Sequence, residues 1–236
     1  HHIPLTDCPY KTDIYFTLSG GMASTGGSGM STLRYGTSKE NIVSMRVVTC
    51  EGRVLRTRRN TRKNATGYEL NALYIGAEGT LGVITELTVR TFPRPKRRIG
   101  AVVTFADVKS ASEVVVEATS KNLCSLLRCE LLNDEGVRCT NAVFKTNLKE
   151  TTTLFLEFIS AKGIDDNTPD LDWAQMEQIC HAHGSTSTQF APDAEALDAL
   201  WDARRGCYLA ALKYRGVMDG SMRKGTYRTY QIPPTV

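Results

Sequence analysis

The stretch from residue 20 to residue 29 is half glycine and follows directly on an apolar run, residues 14–18. Because glycine has no Cβ and tolerates positive φ, such a segment can bring its main chain very close to a ligand. It can also point several N–H groups at a phosphate or at the polar edge of a heterocycle. A flexible linker has the same composition. Taken alone, the segment is compatible with both interpretations.

A second glycine-rich segment, residues 76–86, favours the ligand-binding interpretation of the first. Within it, Glu78 stands between Gly76 and Gly79 in an apolar setting. A carboxylate in this position can accept N–H groups of a ligand or meet a ribose hydroxyl. It can equally satisfy the N–H groups of its own turn. The role of Glu78 therefore stays open between these two alternatives.

Size and composition narrow the class of protein. The 236 residues suffice for one large domain or two small ones, and 41% hydrophobic with 23% charged residues is typical of a globular protein. No apolar run approaches the ~20 residues that span a bilayer. The seven cysteines match no zinc or redox spacing, which predicts reduced thiols in an intracellular compartment.

Basic residues cluster at residues 53–63 and again at residues 94–98. Such clusters can mark a surface for nucleic acid or for an anionic membrane. No aromatic side chains interleave them for base stacking, however. We therefore favour a solvated hairpin rim or a face turned towards a phosphate-bearing cofactor, and we expect no nucleic acid as a partner.

The chain is predicted to divide near residue 93. Before that point it is rich in β-structure, with a hairpin over residues 42–57 and strands at Tyr74–Ile75 and Val83–Phe92. Two prolines and four cations in residues 93–98 then break the pattern. This predicts one domain over residues 1–93 and a second over residues 94–236.

Strands and helices alternate after the boundary, which predicts an α+β fold with helices on one face of an antiparallel sheet. Asp172 is expected to cap one of the helices and Gly184 to end it. The predicted strands are Ile99–Phe105, Leu126–Leu132, Thr152–Ile159 and, in the tail, Thr226–Ile232; the predicted helices are Val108–Asn122, Glu135–Asn141, Asp172–Gly184 and Ala194–Tyr214.

Arg204 is the candidate substrate-binding side chain in the last of these helices. It lies beside the apolar face marked by Leu200 and Trp201, where a guanidinium can bind a carboxylate through two hydrogen bonds. The alternative is a surface arginine whose stem covers the core. His181 and His183 do not share a helix face and have no evident further ligand, so no metal site is assigned.

The two glycine-rich segments resemble the flavin-contacting motifs of the FAD-linked oxidases with the vanillyl-alcohol-oxidase (PCMH-type) fold. The first motif covers Gly20–Gly29, Leu33–Gly36 and Asn41–Val43, and the second covers Thr66–Leu70 and Leu73–Thr85. The later part of the chain is similar to the substrate (cap) domain of cytochrome-linked D-lactate dehydrogenases and of relatives that oxidise D-2-hydroxyglutarate or glycolate. That similarity is carried by Glu130–Leu132, Thr153–Phe158 and Leu200–Arg204.

This resemblance implies the second half of a PCMH-type FAD-binding domain, followed by a ferredoxin-like cap of antiparallel sheet and helices. It implies FAD as cofactor and the oxidation of a D-2-hydroxy acid, D-lactate first, to the 2-oxo acid by hydride transfer to the flavin. Arg204 would hold the substrate carboxylate. The residues that it places beside FAD are Gly20, Gly21, Ser24, Thr25, Gly27, Gly29, Glu78, Gly82, Val83 and Ile84.

The same resemblance implies a small-molecule 2-hydroxy acid as partner, a mitochondrial or cytoplasmic location and a homodimer as one possible assembly. It assigns no electron acceptor. The family's upstream pyrophosphate loop and its downstream histidine-rich motif, which supplies metal ligands and a base, are not matched. Arg205 also stands where lactate-type enzymes commonly have histidine. We therefore assign no catalytic base and no metal ligand, and we expect impaired catalysis from this chain.

Two other functions stay open at this point. One is a non-catalytic remnant that binds a nucleotide, an anion or a partner chain through the glycine segments and residues 53–63. The other is a flavoenzyme that is completed by a second polypeptide.

Overall fold

The computed structural model of the protein describes residues 15–61, 63, 65–160 and 165–214. Its first part holds a three-stranded antiparallel sheet with strand order β2-β1-β3. The strands are β1 (Ile42–Thr49), β2 (Val54–Arg56) and β3 (Gly82–Val89), and the helices are α1 (Tyr15–Ser24), α2 (Thr32–Tyr35), α3 (Ser38–Asn41) and α4 (Leu70–Tyr74). The β1–β2 connection is the predicted hairpin.

One side of this sheet packs on α1 and α4. Ala23 of α1 and Tyr74 of α4 are buried against apolar side chains of β1, among them Met45 and Val47. Tyr74–Ile75 was predicted as a strand, and that prediction is wrong, because Tyr74 ends helix α4 and Ile75 is its C-cap. Asn71 and Tyr74 are both buried and lie three residues apart, as on one face of a helical turn. A short apolar run cannot distinguish a helical turn from a strand by periodicity.

Asn71 also fixes α4 to the sheet. Its Nδ2 donates to the carbonyl oxygen of Val43 at 3.0 Å, and its Oδ1 accepts from Thr57 Oγ1 at 2.6 Å. These bonds satisfy a buried amide, which would otherwise cost free energy. They therefore favour the helical turn over the strand that local propensity suggested.

The second part of the chain is a four-stranded antiparallel sheet with strand order β5-β6-β4-β7. Its strands are β4 (Arg98–Phe105), β5 (Leu126–Leu132), β6 (Thr152–Ile159) and β7 (Ser187–Phe190); its helices are α5 (Val108–Ser120), α6 (Asp134–Phe144), α7 (Thr168–Ala182), α8 (Ala194–Arg205) and α9 (Cys207–Tyr214). This order is that of a ferredoxin-like β-α-β-β-α-β unit, with α6 added between β5 and β6. The α+β fold class is confirmed.

Helices cover both faces of this sheet, so the prediction of helices on one face is wrong. Helices α5 and α7 bury one face through residues such as Val114 and Met176. Helices α6 and α8 bury the other through Val137, Leu197 and Trp201. Strand β6 is buried along its whole length, as expected for a strand covered on both sides.

Helix boundaries in this part differ from the predictions, most clearly for α7 and for the last predicted helix. Helix α7 begins at Thr168, so Asp172 lies inside it, where its carboxylate accepts from Ser125 N at 2.7 Å and Ser125 Oγ at 2.6 Å. The predicted helix over residues 194–214 is two helices that meet at Gly206. Gly184, with φ of 75°, follows the end of α7 as predicted. Strand β7 was not predicted, and Thr226–Ile232 lies outside the described residues.

Candidate functional site

The two glycine-rich segments are hydrogen-bonded to each other. The amide of Gly76 donates to the carbonyl oxygen of Ala23 at 3.2 Å, and the amide of Glu78 donates to that of Ser24 at 3.0 Å. Gly20 lies close to the second segment as well, because a Cβ added to Gly20 would be 3.9 Å from the carbonyl oxygen of Ile84 in β3. The fold therefore brings parts of both predicted flavin motifs to one place.

The first segment is not a loop throughout, which corrects the sequence interpretation. Gly20, Gly21 and Ser24 belong to helix α1, and only the residues after Ser24 form turns. Glycine inside a helix costs about 1 kcal/mol relative to alanine. Here the same helix buries Ala23 in the hydrophobic core of the first part, which also contains Met45 and Val47 of β1. Tertiary packing therefore outweighs a local composition that favoured a loop.

Thr25 and Gly27 complete the end of α1. Thr25 Oγ1 donates to the carbonyl oxygen of Gly21 at 3.1 Å, and the Gly27 amide donates to that of Met22 at 2.8 Å. Both groups therefore close the helix terminus. Any bond from the Thr25 hydroxyl to a ligand would compete with this internal bond.

The second segment is a turn with strained main chain. Gly76 and Gly79 have φ of 82° and 80°, and Glu78, although not glycine, has φ of 49°. A left-handed conformation costs a non-glycine residue roughly 1–2 kcal/mol. Glu78 is exposed. Its conformation is fixed in part by the bond from its amide to Ser24.

Packing between β1 and β3 explains why the first residue of β3 is glycine. A Cβ on Gly82 would lie 2.6 Å from the carbonyl oxygen of Val48, so glycine is required for β1 and β3 to approach. Val83 is exposed, whereas the side chain of Ile84 packs against the first core. Gly82 is thus explained by the sheet itself, without a ligand.

The end of the first glycine segment reaches the second sheet. Met30 packs against the core cluster that contains Trp201 of α8. The next residue, Ser31, is buried, and its Oγ accepts a hydrogen bond from Arg128 Nε of β5 at 3.1 Å. Residues 20–31 therefore run from the first sheet to the helix that carries Arg204.

A buried charge network lies under α8. Glu157 of β6 accepts from Arg98 Nε at 2.6 Å and from Arg128 Nη1 at 3.1 Å, and Arg98 Nη1 also donates to Asp198 at 2.8 Å. The guanidinium carbon of Arg128 lies 5.0 Å from the centre of the Trp201 ring. Only 1% of the Glu157 side chain is exposed, and a carboxylate buried that deeply needs paired cations.

These charges also shift the titration of Arg98. Burial acts to lower the pKa of Arg98, but the carboxylates of Glu157 and Asp198 outweigh burial, and the pKa is raised. Arg98 is therefore charged throughout the physiological pH range.

Arg204 is neither a free surface residue nor a mere cover for the core. Its Nη2 donates to Glu130 Oε2 of β5 at 2.6 Å, and each of the two side chains is 23% exposed. The Nε of Arg204 is buried and has no hydrogen-bond partner among the described residues. Arg205 instead forms an ion pair with Asp202 of its own helix. The arginine that the sequence singled out is thus a partly open, oriented cation.

Residues 94–220 match the family model described as FAD linked oxidases, C-terminal domain, and residues 9–58 match that of a FAD binding domain. The chain belongs to the FAD-linked oxidase family. FAD is the cofactor of that family. The ferredoxin-like sheet described above therefore lies in the region that matches the C-terminal domain of this family.

Named relatives of this FAD-linked oxidase include two mitochondrial proteins. A D-lactate dehydrogenase [cytochrome] of Arabidopsis thaliana is 38% identical, over 81% of this chain and 34% of its own length. A probable D-lactate dehydrogenase of Danio rerio is 35% identical, over 83% of this chain and 39% of its own length. The chain therefore spans between a third and two fifths of the length of these relatives.

The fold is also found in a solved structure. Alkyldihydroxyacetonephosphate synthase superposes with a TM-score of 0.62 at 19% identity, over 83% of this chain and 38% of that one. At this identity the likeness concerns the fold alone.

The two glycine segments of this chain leave main chain open on one side, where a flavin cofactor could lie. A Cβ added to Gly21, Gly76 or Gly79 would meet no atom within 4 Å, so the main chain at these points borders open space. A main chain that is not covered by side chains can approach the phosphates or ring edge of a cofactor closely. The residues present are thus compatible with one wall of an FAD site.

Arg128 and Glu130 are the site residues that sequence reasoning missed. They alternate on β5, on the face covered by α6 and α8, within a strand that is otherwise apolar apart from Cys129. Charged residues at alternate positions of a buried strand are a readable signal, because such charges are rarely buried without partners. That signal was present in Leu126–Leu132.

The histidines and cysteines that the structure describes do not form a ligand cluster. His183 Nε2 lies 3.0 Å from Glu117 Oε2 and its Nδ1 lies 3.4 Å from Glu113 Oε2, both on α5. In the described part of the chain no three metal-ligating side chains come together. The six cysteines of that part are free thiols. Burial raises the pKa of Cys129 and of Cys180 to about 12.

The basic residues at the β1–β2 hairpin are largely paired. Four arginines contact nearby carboxylates: Arg46 and Arg56 contact Glu86, Arg53 contacts Glu51, and Arg58 contacts Glu69. This arrangement favours the solvated hairpin rim over a nucleic-acid surface.

A cavity of about 780 Å³ lies between α3, α4 and the ends of β1 and β3, and none of the predicted FAD-binding residues lines it.

Within the described residues no helix is long and apolar enough to cross a bilayer.

Proposed function

We propose that the chain is part of an enzyme that uses FAD to oxidise a D-2-hydroxy acid, with D-lactate as the first candidate, to the corresponding 2-oxo acid. The observation that carries this proposal is the continuity between the two functional parts. The glycine segment that borders open space runs into Met30 and Ser31, which contact the cluster around Trp201 and Arg128. One turn beyond Trp201 lies Arg204, a cation that can receive a carboxylate.

The names of the relatives support the choice of substrate. The proteins of Arabidopsis thaliana and Danio rerio carry the name D-lactate dehydrogenase. Relatives at 26% identity are a glycolate oxidase subunit of Bacillus subtilis and a D-2-hydroxyglutarate–pyruvate transhydrogenase of Saccharomyces cerevisiae. Lactate, glycolate and 2-hydroxyglutarate share a carboxylate next to a carbinol carbon. A mitochondrial location is proposed for this chain on the same support, because both D-lactate dehydrogenases are named mitochondrial.

The proposed roles of the residues follow from their positions. FAD, when bound, accepts the hydride from the carbon that carries the hydroxyl group. The residues proposed to line it are Gly20, Gly21, Ser24, Thr25, Gly27, Gly29, Glu78, Gly82, Val83 and Ile84. Arg204 is proposed to hold the substrate carboxylate and so to orient the reacting carbon. The ion pairs beneath α8 keep the helix that carries Arg204 in place.

The proton acceptor is proposed to lie outside the described residues. The two described histidines, His181 and His183, lie at the end of α7 on the sheet face opposite to α8. Oxidation of a hydroxyl group requires a base for its proton. The family's histidine-rich motif, which supplies a base, is not matched in this chain, and on that ground we expect slow turnover from the 236-residue polypeptide even where FAD and the hydroxy acid bind.

The test is a spectroscopic one on the purified 236-residue polypeptide incubated with FAD. The proposal expects flavin absorbance that stays with the protein through gel filtration and is bleached by D-lactate without oxygen, more slowly than in a full-length relative. L-lactate is the matched control and should leave the flavin oxidised. Flavin that elutes separately from the folded protein, or equal bleaching by both enantiomers, would contradict the proposal.

A further inference from the structure

The ion pair between β5 and α8 has a role beyond joining two elements. We propose that Glu130 is a positioning residue, which holds the guanidinium of Arg204 in the orientation that receives a substrate carboxylate. The inference rests on the proposed function, because it takes Arg204 as the carboxylate-binding group. It adds a residue that neither the glycine segments nor the basic residues of α8 indicated.

The geometry shows how Glu130 restrains Arg204. Its Oε2 accepts from Arg204 Nη2 at 2.6 Å, and both side chains are mostly buried with 23% exposed. The two residues come from different elements, so the bond ties a helix side chain to a strand of the sheet. A charge-assisted hydrogen bond of this length is among the stronger polar contacts in proteins.

The bond leaves donors of Arg204 available to a ligand. A guanidinium has five N–H donors in a planar fork. The Nε of Arg204 is buried within the protein, and its Nη2 is bound to Glu130. Nη1 and the second hydrogen of Nη2 form one edge of the fork, which can bind both oxygens of a carboxylate. Glu130 therefore orients the guanidinium without using all of its donors.

The surroundings keep Glu130 itself in place. Two residues earlier on the same strand face, Arg128 is bound to Ser31 and Glu157 and stacks on Trp201 of α8. The strand that carries Glu130 and the helix that carries Arg204 are thus joined one turn away from the pair. The position of Glu130 relative to α8 is fixed by this packing.

The energetic benefit is pre-organisation. An arginine that is free in solvent loses side-chain entropy when a ligand immobilises it, about 0.5–1.5 kcal/mol for a side chain with many rotamers. Because Glu130 has already restricted Arg204, a carboxylate that binds there avoids most of that cost. Converted at about 1.4 kcal/mol per factor of ten, loss of the restraint corresponds to a roughly two- to tenfold weaker complex.

The test measures the Kd of oxalate, an unreactive dicarboxylate, and of D-lactate by calorimetry on the 236-residue polypeptide with FAD added. Glu130→Ala is expected to raise the Kd about two- to tenfold. Glu130→Gln, whose amide oxygen can still accept from Nη2, should rescue most of that loss. The matched control is Glu150→Gln, because Glu150 forms an exposed pair with Arg138 of α6 rather than with Arg204; it should leave the Kd unchanged.

The outcomes separate this inference from the proposed function. Arg204→Met must weaken oxalate binding, and equal binding by that variant would overturn both. If Arg204→Met weakens binding and Glu130→Ala does not, the role of Glu130 is structural and only the inference fails. Tighter binding by both Glu130→Ala and Glu130→Gln would show that Glu130 competes with the ligand, which also overturns it. If Glu130→Ala does not fold, Glu130→Asp, which withdraws the carboxylate by one methylene, must raise the Kd.

Discussion

Arg128 Nε donates to Ser31 Oγ at 3.1 Å, and this bond joins the sheet of the cap to the second residue after the first glycine segment. Both side chains are buried. The same guanidinium also binds Glu157 and stacks on Trp201. One side chain therefore connects the end of the proposed flavin wall with the helix that carries Arg204.

Loss of that side chain should cost more stability than loss of an ordinary surface arginine. Arg128→Met leaves Glu157 buried with Arg98 as its remaining described cation, and removing one partner of a buried pair costs about 3–5 kcal/mol. We expect about 3 kcal/mol, since Arg98 compensates part of the charge. The measurement is the free energy of unfolding in urea. Arg138→Met, which removes two exposed ion pairs with Asp134 and Glu150, should cost less than about 1 kcal/mol. Similar losses in the two variants would contradict the special role of Arg128.

Gly100 of β4 provides a second test of how α8 is placed. A Cβ at this position would lie 2.1 Å from Cδ1 of Leu197, which is itself buried on α8. Gly100→Ala should therefore destabilise the protein by about 1–3 kcal/mol through overpacking. It should also displace α8 and weaken oxalate binding at Arg204.

The double variant Gly100→Ala with Leu197→Ala supplies the control. Removing the leucine side chain makes room for the new methyl group. The double variant should then be less destabilised than the sum of the two single variants. Strict additivity of the two effects would show that Gly100 and Leu197 do not interact, against the distance found here.

His183 links the ends of α5 and α7 in a pH-dependent way. Its hydrogen bond to Glu117 is the largest influence and raises its pKa above the ordinary value, with Glu113 adding to the effect. A group whose folded pKa is raised stabilises the folded state fully below the unfolded pKa. That stabilisation is lost as the pH rises through the folded pKa.

The measurement is the thermal midpoint between about pH 5 and pH 8, the range in which histidine titrates. We expect it to fall with rising pH in the unaltered protein and to fall less in His183→Gln. His181→Gln is the matched control, because His181 is exposed and the hydrogen bond found for its imidazole among the described residues is with the Ser185 hydroxyl. A profile unaffected by His183→Gln would show that the carboxylates of α5 do not bind the imidazolium in solution.

The sequence was most informative where local pattern and tertiary packing agree. Leu126–Leu132 and Thr152–Ile159 were predicted as strands with the boundaries that the structure has. Both are largely apolar runs, interrupted by Arg128 and Glu130 in the first and by Glu157 in the second, and burial on both faces suits such runs. The resemblance to FAD-linked oxidases was likewise carried by long motifs, and it is confirmed.

The predictions that failed depend on partners distant in the chain. Gly20 and Gly21 lie in a helix because Ala23 packs into a core that residues 42–75 complete. Local composition contains no information on such contacts. The pairing of Arg204 with Glu130 joins residues 74 positions apart. Spacing alone could mark each of them as unusual, but it could not show that they meet.

Glu78 offers a test of whether strain in the glycine turn serves the cofactor. It is held at φ of 49°, a conformation in which glycine avoids the steric cost that other residues meet. Glu78→Gly should therefore raise the free energy of unfolding by about 0.5–1 kcal/mol, after allowing for the greater freedom of glycine in the unfolded chain. If the carboxylate contributes to the flavin site, the same variant should bind FAD more weakly, as measured by quenching of flavin fluorescence.

Lys145 provides the matched control for this variant, because it has φ of 54° and lies at the end of α6, far in sequence from the glycine turn. Lys145→Gly should stabilise the protein by a similar amount and leave FAD binding unchanged. The comparison separates main-chain strain from cofactor contact, since both variants relieve the first and only Glu78→Gly removes the second. Unchanged FAD affinity in both variants would mean that Glu78 closes its own turn and that its carboxylate does not contact the flavin.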